Sequence, residues 1–280
     1  MATEFLAGGF RGRAVVRLVM LGWYLIAGLA VAGPAAPAGT GMQRVAVPGE
    51  DTVLRGQLRM PAGDGVHPGA LLLHGWLPKG TDGAEQMAGL AEDLAARGWA
   101  ALTMAMRGWP PTGGADDCGL LQTRDALAAL AWLGARPEVD AGRTVLVGHS
   151  QGGQVALLAA AEGAPAGAVV AYAPVTDLRL WRQTTHIAGI RDYVSEECSA
   201  GPGLRARSPI AHVADIEVPV LVRHGAEDRR VSLLQSRRFV AALRKQGVEA
   251  ELRVYPQAGH GWWELGEAAG VVEWLEAAVR

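Results

Sequence analysis

The sequence predicts an α/β fold in which a mostly parallel central sheet carries helices on both faces and a short insertion forms a lid. Short apolar runs typical of buried strands alternate with amphipathic segments along most of the 280 residues, a pattern characteristic of parallel sheets. Half of the residues are apolar and only 19% are charged, which is enough for one sizeable core. One polar stretch, residues 175–207, interrupts the alternation, and insertions of this kind are typical of lids.

The first 32 residues have the features of an export signal. Arginines at positions 11, 13 and 17 precede the apolar run 18–32, which ends in small residues. This order predicts a secretory signal cleaved near Ala32, with an uncleaved N-terminal membrane anchor as the alternative. We therefore expect a secreted or periplasmic protein that contacts a membrane only if the segment remains. Residues 33–42, rich in Gly, Pro and Ala, follow as a linker, and residues 43–280 form one domain.

The first predicted elements open the sheet. Partial alternation of apolar and polar residues around a Pro-Gly turn predicts an antiparallel hairpin, whereas continuous apolar runs predict parallel strands buried on both faces. Apolar residues spaced three and four apart predict helices, and Gly98 is placed to end the first of them. These elements are strands Gln43–Val47, Thr52–Met60 and Ala70–Leu73, helix Ala84–Arg97, strand Trp99–Met104 and helix Leu120–Leu133.

The second half of the chain repeats strand and helix, with the lid between them. These elements are strand Thr144–Val147, helix Gln151–Ala161, strand Ala168–Ala171, the lid 175–207, strand Pro219–Arg223, helix Leu233–Gln246, strand Ala250–Tyr255 and helix Glu264–Val279. Because parallel strands end at the same edge of a sheet, we expect the loops that follow them to form the functional site.

A serine flanked by glycines lies at one strand-to-helix junction. The segment Gly148-His149-Ser150-Gln151-Gly152 matches the pattern G-x-S-x-G. A serine on such a sharp turn is exposed above the sheet, and the glycines remove β-carbons that would clash there. The next helix presents its N-terminus beneath the serine, and the helix dipole favours negative charge at that point. The motif therefore predicts that Ser150 is a nucleophile.

A serine nucleophile needs an adjacent base, and four histidines follow Ser150 in the sequence. His260 lies in a Gly-rich loop directly after the last predicted strand, where it can reach the carboxyl edge of the sheet, and we predict that it is the base. His224 directly follows a strand and is expected to have a structural role. His186 in the lid is expected at the surface, with contact to substrate as its alternative role, and His212 is expected at the surface.

The base in turn needs an acid that orients it, and the chain order of nucleophile, acid and histidine places this acid between Ser150 and His260. Glu227 and Asp228 both follow the strand before the last one. Asp228 is the preferred acid, and capping of the next helix is its alternative role. Asp177, which follows an earlier strand, is the second candidate.

Backbone N–H groups near the nucleophile are needed to stabilise an oxyanion. The strand Ala70–Leu73 ends in His74-Gly75-Trp76. In a strand–turn–helix serine site, one N–H comes from the residue after the nucleophile and the other from a loop of this kind. We therefore predict an oxyanion hole formed by the N–H groups of Trp76 and Gln151.

Five tryptophans fall on loops at this edge of the sheet or in the lid: Trp76, Trp109, Trp181, Trp262 and Trp263. They predict an aromatic, apolar substrate pocket, with Trp109, Trp181 and Trp262 as its candidate walls. Packing of the loops against the core is the alternative role of these side chains.

The two cysteines, Cys118 and Cys198, both lie in polar, loop-like segments. Export would allow them to form a disulfide, and two buried thiols are the alternative. They lack the spacing of a zinc site, and we expect no metal and no other cofactor. A net charge of −2 argues against a nucleic-acid partner, which needs a basic surface.

Taken together, these motifs resemble the α/β-hydrolase superfamily from Val45 to Val279. The C-terminal third resembles the catalytic domains of prolyl oligopeptidase-type serine peptidases and, equally, the single-domain dienelactone hydrolases. The segments that carry this resemblance are Ser208-Pro209-Ile210, Val218-Pro219-Val220-Leu221, His224-Gly225, Asp228, Val231, Tyr255-Pro256 and Gly259-His260. The resemblance implies an α/β-hydrolase fold with Ser150 as nucleophile, Asp228 as acid and His260 as base.

The expected function is hydrolysis of carboxylic esters, or of amides, through an acyl-enzyme. Prolyl oligopeptidase-type enzymes generally carry an N-terminal propeller, for which this chain has no room, and this favours small esters. Dienelactone hydrolases typically have cysteine where this chain has Ser150. The alternative is a prolyl oligopeptidase-type peptidase acting on short peptides, with Glu196 and Glu197 as candidate ligands for a free N-terminus. A non-catalytic binding protein is the third hypothesis, and it predicts a missing triad residue.

Overall fold

The computed structural model describes residues 41–265 and 268–280, and these described residues belong to one compact unit. The predicted signal segment, residues 1–32, and nearly all of the predicted linker 33–42 lie outside the described residues. No helix within the described ranges is long and apolar enough to cross a bilayer.

The described residues form a sheet of eight strands with the order β1-β2-β4-β3-β5-β6-β7-β8. The strands are β1 Met42–Pro48, β2 Val53–Arg59, β3 His67–Leu73, β4 Ala100–Ala105, β5 Val139–His149, β6 Ala168–Tyr172, β7 Val220–Gly225 and β8 Ala250–Tyr255. Strand β2 pairs antiparallel with both β1 and β4. The next six strands in the sheet order, β4-β3-β5-β6-β7-β8, are parallel to one another. The predicted α/β-hydrolase fold with a mostly parallel sheet is confirmed.

Helices cover both faces of the sheet. Within the described ranges they are α1 Ala88–Ala96, α2 Leu120–Gly134, α3 Gln151–Ala161, α4 Leu178–Thr184, α5 Ala188–Glu196, α6 Gly203–Ala206, α7 Leu233–Lys245 and α8 Ala269–Ala278. Side chains along β3 alternate between two cores: Leu71 and Leu73 pack with α2, α3 and α7 on one face. Ala70 and Leu72 pack with α1 and α8 on the other face. This two-sided burial explains why the strand is a continuous apolar run.

The lid, residues 175–207, folds into the helices α4, α5 and α6. The sequence predicted an insertion without strands there but did not predict these helices, because they are short and polar. Their apolar residues form a third cluster with Val231 from the loop after β7. Cys118 and Cys198 form a disulfide with a Cα–Cα distance of 5.2 Å, so the lid is covalently tied to the segment before α2.

Two predicted helices begin later than expected. The predicted helix Ala84–Arg97 divides into a 3₁₀ turn, Gly83–Glu85, and α1, because the backbone of Met87 leaves the helical region at φ −107° and ψ 14°. The predicted closing helix, Glu264–Val279, is observed as the shorter α8, which begins at Ala269, and Glu264 instead ends a 3₁₀ turn, Trp262–Glu264.

Candidate active site

Ser150 lies on a sharp turn between β5 and α3. Its backbone has φ +55° and ψ −113°, a left-handed conformation that is costly for a residue with a side chain. The flanking glycines permit this turn: a β-carbon on Gly148 would lie 2.2 Å from the carbonyl oxygen of Gly152. A β-carbon on Gly152 would lie 2.1 Å from the carbonyl oxygen of Leu73. Backbone therefore passes directly against the turn on two sides, which explains the spacing of the motif.

The structure brings the three predicted triad residues together. His260 Nε2 lies 3.0 Å from Ser150 Oγ, and His260 Nδ1 lies 2.7 Å from Asp228 Oδ2. The serine follows β5, the aspartate follows β7 and the histidine follows β8, so all three extend from the carboxyl ends of parallel strands. With Nδ1–H donating to Asp228, the free lone pair of Nε2 can accept the serine proton.

Asp228 is held as an anion. Its Oδ1 accepts hydrogen bonds from the backbone N–H groups of Arg230 at 2.8 Å and Val231 at 2.9 Å. Its Oδ2 faces His260 and also lies 3.3 Å from His224 Nε2. Burial alone would raise the pKa of Asp228, but the hydrogen bonds from His224 and His260 outweigh burial and hold the pKa well below its usual range. A permanently charged carboxylate can keep the imidazole of His260 in one tautomer and stabilise its protonated form.

The other candidate acids do not reach His260 in this way. Asp177 caps α4, where its side chain accepts from the backbone N–H groups of Arg179 and Leu180. The side chain of Glu227 is exposed, although it immediately precedes Asp228 in the chain.

The remaining histidines differ in burial. His186 is exposed, and His212 is partly buried against the carbonyl of Ala206. His224 is fully buried, with Nδ1 2.6 Å from Ser236 Oγ and Nε2 2.9 Å from the carbonyl oxygen of Val231. His224 thus supports the acid, because its Nε2 also lies 3.3 Å from Asp228 Oδ2. Only the tertiary structure reveals this contact.

The loop His74-Gly75-Trp76 lies beside the serine. A β-carbon on Gly75 would come within 3.1 Å of the β-carbon of Ser150, so the loop backbone is in direct contact with the turn. In the part of the chain that the structure describes, the N–H groups of Trp76 and Gln151 donate to no other protein atom. Gln151 is the first residue of α3, where N–H groups are unpaired and can bind an anion.

A polar network connects Gln151 to the lid. The side-chain amide of Gln151 donates to Asp116 Oδ1 at 3.0 Å and to the hydroxyl oxygen of Tyr193 at 3.1 Å. The Tyr193 hydroxyl in turn donates to Asp116 Oδ2 at 2.6 Å. Burial raises the pKa of both Asp116 and Tyr193. The sequence carried no signal for this network, since its members lie on three separate elements.

A cavity of about 340 Å³ opens beside Trp76. The aromatic side chains of Trp76, Trp109 and Tyr193 line it, together with Asp116 and Glu197. The rings of Trp76 and Tyr193 lie 5.6 Å apart, so the lid helix α5 forms one wall. The cavity therefore adjoins Trp76, one of the two residues predicted to form the oxyanion hole. The side chain of the other, Gln151, donates to two residues of the cavity wall, Asp116 and Tyr193.

The other predicted pocket tryptophans have packing roles. Trp181 is fully buried in the apolar cluster of the lid, and its indole N–H donates to the carbonyl of Arg230. Trp262 packs beside α1 and donates its indole N–H to the carbonyl of Gln86 at 3.1 Å. Trp263 is 65% exposed. Neither Trp181 nor Trp262 lines the cavity beside Trp76, and both side chains pack loops against the domain, which is the alternative role considered for them.

Comparison with known proteins identifies a family. The model of the prolyl oligopeptidase family matches residues 112–279. Acylamino-acid-releasing enzyme 1 of Oryza sativa subsp. japonica is 30% identical over 157 residues, which cover 51% of this chain and 20% of that protein. Uncharacterized peptidase YtmA of Bacillus subtilis (strain 168) is 28% identical over 193 residues, which cover 65% of this chain and 72% of that protein.

A solved structure shares the fold. A puromycin-hydrolyzing peptidase from Mycobacterium tuberculosis superposes with a TM-score of 0.72 at 22% identity, over 88% of this chain and 39% of that chain. The matched part of this chain thus spans about a fifth of the rice enzyme and about two fifths of the mycobacterial one.

Proposed function

Since the chain belongs to the prolyl oligopeptidase family and is a serine hydrolase, we propose that it is a peptidase that cleaves short peptides through an acyl-enzyme on Ser150. The observation that carries this proposal is the hydrogen-bonded series from Ser150 Oγ through His260 to Asp228, at 3.0 and 2.7 Å. The same series leaves no triad position empty, so it speaks against the non-catalytic binding protein.

The comparisons favour a peptidase over the esterase that the sequence was expected to encode. That expectation depended on the length of the sequence, which was taken to leave no room for a propeller, and not on the chemistry of the site. Esters and amides pass through the same kind of tetrahedral intermediate, so the catalytic residues alone do not separate the two classes. The Bacillus subtilis relative is named a peptidase, and the match covers 65% of this chain and 72% of that protein, so the two chains have similar lengths. A short chain is therefore a weak argument against a peptidase.

The proposed reaction has two halves. His260 Nε2 takes the proton of Ser150 as its oxygen bonds to the carbonyl carbon, and the resulting oxyanion accepts hydrogen bonds from the N–H groups of Trp76 and Gln151. Collapse of the intermediate breaks the C–N bond, and His260 gives its proton to the leaving amine. Water then attacks the acyl-enzyme by the same route, which releases the acid and restores Ser150.

We assign the aromatic cavity to a substrate side chain. Trp76 and Trp109 offer flat apolar walls, and Tyr193 closes the cavity from the lid. Such walls suit an apolar or aromatic group. Of the two glutamates considered as ligands for a free N-terminus, Glu197 lines this cavity.

We also propose that the protein is exported. The disulfide between Cys118 and Cys198 supports this proposal, because such bonds persist mainly in oxidising compartments. Fractionation of cells that express the full chain would test it, and recovery of a full-length cytosolic form alone would contradict it.

Matched variants test the catalytic assignments. A fluorophosphonate should label the wild-type protein, and Ser150→Ala should abolish the labelling. Asp228→Asn should lower kcat by about 10⁴-fold, as expected when the base loses its orienting carboxylate. Asp177→Asn is the control: asparagine caps a helix as well as aspartate does, so activity should be retained. Labelling that survives Ser150→Ala would show that Ser150 is not the nucleophile.

A substrate panel tests the peptidase assignment separately. We expect aminoacyl and acyl-aminoacyl p-nitroanilides with aromatic or apolar side chains to be cleaved. Hydrolysis of p-nitrophenyl esters without cleavage of any anilide or peptide would contradict the peptidase assignment and show that the protein is a serine esterase.

A further inference from the structure

Gln86 connects two loops of the candidate active site. It lies between the 3₁₀ turn Gly83–Glu85 and α1, and its side chain is partly buried. Its side-chain oxygen accepts a hydrogen bond from the N–H of Gly75 at 2.7 Å. Its backbone carbonyl accepts one from the indole N–H of Trp262 at 3.1 Å. One residue thus holds the loop after β3 and the loop after β8.

The hydrogen bond between Gly75 and Gln86 restrains the loop His74-Gly75-Trp76 at the residue with the greatest backbone freedom. Gly75 must lack a side chain, since a β-carbon there would lie 2.9 Å from His149 Nδ1 and 3.1 Å from the β-carbon of Ser150. Glycine has the greatest backbone freedom of any residue. The N–H of Trp76 belongs to the next peptide unit, so its direction depends on the conformation of Gly75.

The bond to Trp262 acts on the loop of the base. Trp262 lies two residues after His260 in the chain. His149 supports the same loop, because its Nε2 donates to the carbonyl oxygen of His260 at 2.8 Å and its ring lies 4.8 Å from the His260 ring. The side-chain oxygen of Gln86 lies 3.5 Å from His149 Nδ1. The two loops and the serine turn therefore meet around Gln86.

We propose that Gln86 is a positioning residue, which fixes the N–H of Trp76 in the direction needed to stabilise the oxyanion and ties that loop to the loop of His260. This inference rests on the proposed function, because it concerns the same nucleophile and oxyanion. Gln86 touches no reacting atom and acts through Gly75 and Trp262.

The test uses the rate of fluorophosphonate labelling, which does not depend on the natural substrate. Ser150 displaces fluoride from phosphorus, and the phosphoryl oxygen occupies the oxyanion hole. Gln86→Met removes the acceptor at similar size and should slow labelling about 10–100-fold, up to the range seen when an oxyanion donor is lost. Gln86→Glu keeps an oxygen acceptor and should label faster than Gln86→Met. The control is Gln43→Met, an exposed position on β1, which should label at the wild-type rate.

Two further measurements separate positioning from folding. With a cleaved substrate, Gln86→Met should lower kcat while KM changes less than about threefold, since only the transition state uses the oxyanion hole. Trp262→Phe removes one hydrogen bond but keeps an aromatic ring, and it should slow labelling with little change in Tm. Circular dichroism and Tm of each variant show whether it is folded.

The outcomes distinguish this inference from the proposed function. A wild type that is not labelled overturns both. Labelling of the wild type and of Gln86→Met at equal rates overturns the role of Gln86 alone. Equal losses in Gln86→Met and Gln86→Glu, each accompanied by a large drop in Tm, would show that Gln86 is needed only for folding.

Discussion

Removal of the disulfide should destabilise the protein strongly. The perturbation is the double substitution Cys118→Ala and Cys198→Ala, which leaves no unpaired thiol. The two cysteines are 80 residues apart in the chain. In the chain-entropy model, a crosslink that closes a loop of this length stabilises the folded state by about 4–5 kcal/mol at 25 °C. Both cysteines are fully buried in the apolar cluster of the lid, so the substitution also removes packing contacts.

The assay is urea unfolding of the wild type and the double variant, each with and without a thiol reductant. The wild type should lose about 4–5 kcal/mol of unfolding free energy on reduction, whereas the variant should not respond to reductant. The variant should also show a raised KM, because Tyr193 on α5 lines the cavity and the disulfide tethers the end of that helix.

A loss below about 1 kcal/mol in both comparisons would refute this reasoning. It would mean that the unfolded chain gains little freedom when the bond is cut, and that the contacts of the lid alone hold it on the domain. An unchanged unfolding free energy together with a raised KM would show that the disulfide positions the lid but does not stabilise the whole domain.

Asp125→Ala should cost about 3 kcal/mol of unfolding free energy in a urea titration, the low end of the range for breaking a buried ion pair, because Arg107 would lose its two bonds to buried Asp125 at 2.6 and 2.8 Å but keep the exposed Asp51 at 2.9 Å; a loss under about 1 kcal/mol would contradict it. Acidification should destabilise the fold. Burial lowers the pKa of His74 to about 4, and burial with the nearby His260 lowers that of His149 to about 3. The unfolded chain therefore binds protons below about pH 6.5 while the folded chain does not, which removes about 3 kcal/mol per imidazole by pH 4; equal unfolding free energies at pH 7 and pH 4 would refute this. Gly75→Ala should slow fluorophosphonate labelling about 10²-fold, because its β-carbon would displace neighbouring groups by a fraction of an ångström or more; a wild-type rate would show that the loop adjusts freely.

Much of the fold was predictable because buried strands and amphipathic helices leave a local pattern. The helix Gln151–Ala161 and the strand Ala250–Tyr255 have the predicted boundaries. The lid helices were not predicted, since short polar helices are stabilised by their contacts with the rest of the domain and lack a strong period of their own. The division of the helix at Met87 was also hidden, because the apolar spacing continues through it.

The candidate site divides in the same way. The sequence predicted Ser150 and its turn from residues that are adjacent in the chain. The sequence marked Trp109 and Trp181 as pocket candidates for the same reason, their predicted positions at the site edge or in the lid. In the structure Trp109 lines the cavity, whereas Trp181 fills the core of the lid. Gln86 left no signal, because its two bonds join it to residues 11 and 176 positions away.

By itself, the sequence determined the order of the elements and the nucleophile turn, since both depend on neighbouring residues and on the conformational freedom of glycine. Only the tertiary structure decided which acid serves His260. Glu227 and Asp228 are adjacent in the chain, yet Glu227 is exposed and the Asp228 carboxylate is fully buried 2.7 Å from the imidazole. The physical reason is that the direction of each side chain depends on how β7 and β8 pair and how the loops after them pack, and no local pattern encodes those contacts.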